Sequence, residues 1–287
     1  MRPVSEVKMD FEMIRSLGDI IDVLKTAATI QFRSFQFKER PNTDYLDEIE
    51  ACFTMLLGKN IKHPYLFDRQ GMPSAIVVVT SDEGFLGELN TLLVNTSLDC
   101  RKSAADEFVV LGERGARYME DMRQAFTPFP GISDEANYKE AESVRNYLTK
   151  GYRKKYGRII TVYPRFVSMT LQRVTVQQIL PFERKEEAQK KKFSSVIEEM
   201  LIEPSENSVL AALVEIWMTY TFMDIFWSSK QSEFGARIMH LEGSTQELGV
   251  MKQKLAFEYF RQVHNLRDKV IREISASKIM LGKRKGG

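Results

Sequence analysis

The sequence predicts an α/β fold with a long antiparallel coiled coil, in which N- and C-terminal helices form a shaft beside a small Rossmann-like α/β domain. Three observations carry this. Apolar residues open the chain at heptad spacing. β-branched runs alternate with helical patterns through its middle. No proline interrupts Glu206 to Leu281. The expected boundaries are 1–60 for the N-terminal shaft helix, 61–205 for the α/β domain and 206–287 for the long C-terminal shaft helix.

Ile14, Leu17, Ile21, Leu24, Ala28, Gln31 and Phe35 alternate steps of three and four, which makes one narrow seam along a helix. Gln31 is a polar interruption of that seam, a position where register is fixed at some cost in stability. Pro41 ends or kinks the helix. Asn42, Thr43 or Asp44 then caps a second helical run through Leu46, Ile49, Phe53 and Leu57.

Ala75 to Thr80 is a continuous β-branched run, the pattern of a strand buried on both faces. The loop Ser81 to Asn90 leads into a helix, and a second strand, Glu107–Leu111, runs through Gly112–Gly115 into another. A helix over Glu140–Tyr152 precedes strands at Arg158–Tyr163 and Ser168–Pro181. Strands alternating with helices give a small, parallel-rich α/β unit. Phe182 to Ile202 is charged and is read as a surface connection.

From Glu206 onward apolar residues recur at helical spacing, from Leu210, Leu213 and Trp217 to Val263, Leu266, Val270 and Ile274. An unbroken helix here spans about 110 Å at about 1.5 Å per residue. A pattern this long suggests a coiled coil whose antiparallel partner is the N-terminal helix. The tail Gly282 to Gly287 is expected to fray.

Composition narrows the function. The net charge of +2 arises from 41 basic and 39 acidic residues, without the basic excess of a nucleic-acid binder. Cys52 and Cys100 stand apart and suit a reducing compartment rather than a disulfide framework. The N-terminus lacks the apolar core of a secretory signal. The most apolar stretch, Val209 to Trp227, is interrupted by Glu215 and Asp224, so membrane association is expected only through partners.

The chain carries no Walker-type phosphate loop and no G-x-G-x-x-G turn after a strand. Gly84 to Gly87 follows a buried strand and opens a helix, but Asp82, Glu83 and Glu88 surround it with charge that repels phosphate. His63, His240 and His264 lie far apart and read as surface or packing residues. No catalytic residue, cofactor or metal site is expected.

The order of elements and several local motifs resemble the gamma, or central stalk, subunit of rotary F-type ATP synthases. Arg40-Pro41 resembles that family's Arg-Pro-Tyr break in the first long helix. Val79 to Asn90 resembles its S-D-R-G-L-C-G-G-L-N motif, with Glu83, Leu86 and Glu88 replacing arginine, cysteine and glycine. Tyr163 to Ser168 with Ile179 to Pro181 resembles its Y-x-x-F-x-S…L-L-P strand pair. Glu203-Pro204 and Ser232 to Arg237 resemble its Y-E-P and S-E-x-x-A-R. Elsewhere the chain departs from the family, reading Val23 to Gln31 for I-T-x-A-M-x-M-V-A and His240 to Thr245 for A-M-x-x-A-T.

The resemblance implies a divergent rotor subunit without an active site, coupling ion flow to ATP synthesis or hydrolysis. Its implied partners are the alpha and beta subunits of the catalytic ring, the epsilon subunit and the membrane c-ring, on the cytoplasmic face of an energy-transducing membrane. By motif position, Asp82, Glu83 and Leu86 are expected to face a beta subunit, as are Arg261 and Gln262 further along the shaft. Glu203 and Pro204 are expected near the c-ring and epsilon. Two other readings compete: a nucleotide-binding α/β enzyme with a helical dimerisation arm, and a structural adaptor that kept the fold but lost rotation.

Overall fold

The computed structural model describes residues 2–37, 43–57, 63–67, 69, 71–182 and 202–284. The expected Arg40-Pro41 break, a cap at Asn42, the connection over 183–201 and the tail at 285–287 lie outside the described residues. In order, the elements are α1 (Val4–Phe37), α2 (Thr43–Leu57), a 3-10 turn (Pro64–Leu66), β1 (Ser74–Val79), α3 (Leu89–Asp99), β2 (Glu107–Leu111), α4 (Glu113–Asp121), β3 (Phe126–Phe129), α5 (Tyr138–Lys154), β4 (Arg158–Ser168), β5 (Leu171–Leu180) and α6 (Glu206–Arg284). Helix α6 has 79 residues and continues past Gly282 to Arg284, into the tail that the sequence predicts to fray.

One five-stranded sheet runs in the order β3-β2-β1-β4-β5. Its pairings are parallel except β4 with β5, which is antiparallel. Strand β1 is central: Ala75–Val79 pair with Glu107–Leu111 on one side, and Ser74–Val78 with Arg158–Val162 on the other. Flanked on both edges and covered on both faces, it has no solvated face, which is why its sequence is continuously apolar. Side chains alternate between two cores. Ala75, Val77 and Val79 join the aromatic cluster of Phe35, Trp227 and Phe234, while Ile76 and Val78 pack with Leu89, Leu93 and Phe108.

Strand β3 is absent from the sequence expectation. Its four residues include Pro128, with no alternating or β-branched run to mark them. Proline is tolerated there because β3 is an edge strand bonded only to β2. Strand β4 runs beyond the expected Tyr163 to Ser168, and Pro164 lies past the last residue that pairs with β1.

The chain divides into two compact units, one of residues 29–239 and one of residues 1–28 with 240–287. In the second unit α1 and α6 run antiparallel. The Lys25 ammonium lies 3.1 Å from the Glu242 carboxylate, and near the start of α1 Arg2 feels the charge of Glu258. The hydrogen bond to Glu242 raises the Lys25 pKa above its ordinary value. The most apolar window of α6 is long enough to cross a membrane, but 56% of it is buried inside the protein, as in a core helix.

Helix α4 is pressed tightly onto the end of β1. Gly112 has φ +98°, and a Cβ there would lie 2.6 Å from the Thr80 carbonyl oxygen. A Cβ on Gly115 would lie 2.3 Å from Thr80 Oγ1, which accepts the Gly115 N–H. Gly243, in α6, has open space around it. Gly115→Ala is therefore expected to destabilise the chain by about 1–3 kcal/mol through overpacking. Gly243→Ala is expected to stabilise it by about 1 kcal/mol through helix propensity. Urea denaturation of the two variants checks this opposition of sign.

Candidate functional site

The candidate site is a socket in the α/β domain that holds the middle of α6. Residues 225–230 and 232–237 are all buried. Six consecutive buried positions exceed one helical turn, so this stretch is enclosed on every side. The end of α1 forms one wall: the Phe35 ring lies 4.0 Å from that of Trp227 and 5.8 Å from Phe234. Strand β4 forms another. Ser232 Oγ donates to the Pro164 carbonyl at 3.0 Å, and the Phe166 N–H donates to Ser228 Oγ at 3.0 Å.

A charged triad crosses this apolar surround. Lys230, Glu233 and Arg237 are spaced to lie on one face of α6 and are all buried. Glu233 takes Lys230 Nζ at 2.9 Å on one oxygen and Arg237 Nη2 at 2.7 Å on the other. Inside the socket two cations thus face a single anion. Two carboxylates reach in from the surface to complete the compensation: Asp134 lies 3.1 Å from Lys230, and Glu83 3.1 Å from Arg237. Burial pulls the Lys230 pKa down, but Glu233 and Asp134 outweigh it and hold the ammonium above its ordinary value. Asp134 also accepts from Gln31 Nε2 at 3.4 Å, so the polar break in the α1 seam has a partner that in turn binds α6.

The loop after β1 is fixed from both ends. Asn90 Oδ1 accepts the Ser81 N–H at 3.3 Å, and Asn90 Nδ2 donates to Ser81 Oγ at 2.9 Å. Asp82 accepts the Glu113 N–H at 2.9 Å, supplying the side-chain cap that Gly112 cannot give α4. Arg237 Nε reaches the Gly84 carbonyl at 3.4 Å. Phe85 takes φ +64°, unusual for a bulky residue, and it stands exposed while Leu86 turns into the core.

The residues singled out from sequence fall in three places. Asp82, Glu83 and Leu86 gather on this loop: Asp82 and Glu83 are exposed and bonded within the domain, and Leu86 is 6% exposed. Glu203 and Pro204 are exposed just before α6, joined by a cis peptide. Arg261 is exposed in the two-helix unit, whereas Gln262 is 7% exposed and donates to Glu258 at 3.4 Å. Of the first group, Glu83 ties the loop to the helix through Arg237. Lys230 and Asp134 were missed, and Glu233 and Arg237 entered only as a motif; their signal was alternating charge within an otherwise apolar helix.

The socket bears directly on the nucleotide-enzyme reading. In an open α/β sheet a ligand binds outside the carboxyl ends of the strands where the strand order reverses. Here that point lies between β1 and β4. It is filled by Leu86, Asn90 and Ile132 together with Ser229 and Glu233 of α6, leaving a cavity of about 10 Å³. That is room for about one water molecule. Among the described residues no group of histidine, cysteine and carboxylate side chains is placed to hold a metal ion. His63 accepts the Tyr65 N–H at the 3-10 turn, and burial, with Arg153 and Arg69 nearby, lowers its pKa.

Comparison with known proteins agrees with this geometry. The family model described as ATP synthase matches residues 4–273. The chain is 25% identical over 278 residues to the ATP synthase gamma chain of Clostridium perfringens, covering 94% of this chain and 95% of that one. To the ATP synthase gamma chain of Opitutus terrae it is 23% identical over 273 residues, covering 90% and 92%. A chain in the Euglena gracilis mitochondrial ATP synthase (OSCP/F1/c-ring) superposes with a TM-score of 0.76 at 12% identity, covering 99% of this chain and 96% of that one. One in the central stalk and c-ring of the Tetrahymena thermophila enzyme gives 0.56 at 16% identity, covering 79% and 99%.

Removing the central anion leaves two buried cations facing each other. Glu233→Gln is expected to cost about 3–5 kcal/mol of stability. Asp134→Asn, at an exposed carboxylate, is expected to cost about 1 kcal/mol or less. Because the Lys230 pKa is raised, its contribution is complete below the ordinary lysine value of 10.5 and fades as pH rises through the higher folded value. Denaturant titrations at neutral and at strongly alkaline pH check all three.

Proposed function

The chain belongs to the ATP synthase gamma family, and on that premise we propose how its own surfaces serve a central-stalk rotor. The subunit is non-catalytic; it couples ion flow through the membrane sector to ATP synthesis or hydrolysis elsewhere in the complex. The observation that carries the reading is the two-helix unit. Its antiparallel helices leave large apolar side chains in water, among them Met9, Ile20 and Val23 on α1 and Phe257 and Phe260 on α6. An isolated coiled coil would keep such residues in its seam, whereas a shaft enclosed by other subunits can present them outward.

In this reading the alpha and beta subunits surround the paired helices, and the surface met by each beta subunit changes as the shaft turns. The turning shaft therefore biases each nucleotide site through differential binding. Asp82, Glu83 and Leu86 form the beta-facing loop, with Leu86 as its inward anchor and Phe85 as the outward apolar group. Arg261 and Gln262 form a second beta contact, where Gln262 is buried within the two-helix unit and Arg261 reaches the partner. Glu203 and Pro204 meet the c-ring or epsilon, near the junction between the α/β domain at 61–205 and the shaft segments at 1–60 and 206–287. The subunit is peripheral to the membrane sector, here on its cytoplasmic face.

Co-expression with the alpha and beta subunits of the same organism tests this. A complex containing all three that hydrolyses ATP is expected, while the isolated chain binds no ATP. Arg261→Glu is expected to slow hydrolysis about tenfold, the effect of losing about 1.4 kcal/mol of contact, with the melting temperature of the isolated chain unchanged. Failure to assemble, or tight ATP binding by the isolated chain, would overturn the assignment.

A further inference from the structure

The β4–β5 hairpin carries an arrangement that the rotor function does not account for. Arg165 and Arg173 are direct partners across the antiparallel ladder, so both side chains leave the same face of the sheet. Both are exposed. Like charges placed directly opposite each other destabilise a sheet. Elsewhere in the chain carboxylates accompany clustered cations, as Glu233, Asp134 and Glu83 do in the socket. Among the described residues no carboxylate forms an ion pair with Arg165 or Arg173.

The hairpin is rigidly built around this pair. Between the two arginines the Phe166 N–H is bonded to Ser228, and the Phe166 ring lies 5.8 Å from Phe32. Gln172 Nε2 closes the turn onto the Met169 carbonyl at 2.9 Å. The turn also packs against Gly235, where a Cβ would come within 3.2 Å of Gln172 Nε2. Val167 and Leu171, two residues from one or the other arginine, are each about half exposed, at 51% and 48%. A rigid hairpin that sets two arginines directly opposite each other with apolar neighbours suits planar oxyanions carried on a partly apolar chain.

We propose that Arg165 and Arg173 form a docking site for an acidic protein segment, whose carboxylates bridge the two guanidinium groups while its apolar side chains rest on Val167 and Leu171. Carboxylate and phosphate both match the arginine fork. A protein segment fits better than a lipid surface, because polybasic membrane sites use clusters of about 4–8 basic residues, and among the described residues the β4–β5 hairpin presents two on this face. The segment supplies the negative charge that the hairpin lacks and relieves the repulsion across the ladder.

The test uses the full chain and three probes: a synthetic peptide of alternating glutamate and leucine, phosphatidylserine vesicles and inorganic phosphate. Binding of the peptide is expected to weaken about tenfold in Arg165→Gln and again in Arg173→Gln, each tenfold step being about 1.4 kcal/mol. The melting temperature of each variant is expected to stay level or rise, because the like-charge pair is gone. A structural role for the pair would lower it instead. Peptide affinity that is unchanged in the double variant overturns the proposal. So does arginine-dependent binding of vesicles or of phosphate without binding of the peptide.

Discussion

Glu233 is the residue on which the rest of the structure turns. Buried on α6 between Lys230 and Arg237, it pairs with both cations and offsets one of the two charges that an apolar surround would otherwise expel. The same two cations bring in Asp134 and Glu83, and with them the loop after β3 and the loop after β1. A purely hydrophobic contact of this size is non-directional and would hold the helix without fixing its rotation. Glu233 holds Lys230 and Arg237 in place, and the contacts of Lys230, Arg237, Ser232 and Ser228 with Asp134, Glu83, Pro164 and Phe166 set both the height and the angle of α6 in its socket. For a shaft that must turn together with its α/β domain, the angle is the functional quantity.

The socket also explains the missing chemistry. A parallel sheet with this strand order offers a crevice at the ends of β1 and β4, and in many α/β proteins a ligand occupies it. Here the chain fills the crevice with its own helix, and the polar groups at the strand ends are used internally. Thr80 bonds to Leu111 and Gly115, Ser81 to Asn90, and Asp82 caps α4. The loop that resembles a phosphate cradle is therefore a fastener between sheet and helix.

Much of this was legible in the sequence. Heptad spacing marked α1, β-branched runs marked β1 and β2, and the absence of proline marked α6, because each reflects a local periodicity that burial imposes. Strand β3 left no such signal: four residues containing a proline have no period. The triad was illegible for a different reason. Lys230, Glu233 and Arg237 have the spacing of an ordinary solvated ion-pair face, and only the arrival of α1, β4 and two loops from distant positions makes that face an interior. The orientation of loop side chains was equally hidden. Nothing local distinguishes Phe85 from Leu86, and the positive φ at Phe85 arises within a loop whose two ends, Ser81 and Asn90, are bonded to each other.

Torque is the most direct test of the claim that the triad fixes the helix in its socket. Lys230→Met, Glu233→Leu and Arg237→Met together replace the buried ions with apolar groups of similar volume, a change that often preserves stability. It removes every bond from those three side chains to Asp134, Glu83 and Gly84. A bead attached to the α/β domain of the assembled, ATP-hydrolysing complex reports the torque delivered by the shaft. The expected result is a folded triple variant that hydrolyses ATP while its bead turns with reduced torque or slips. Full torque from a folded triple variant would contradict it.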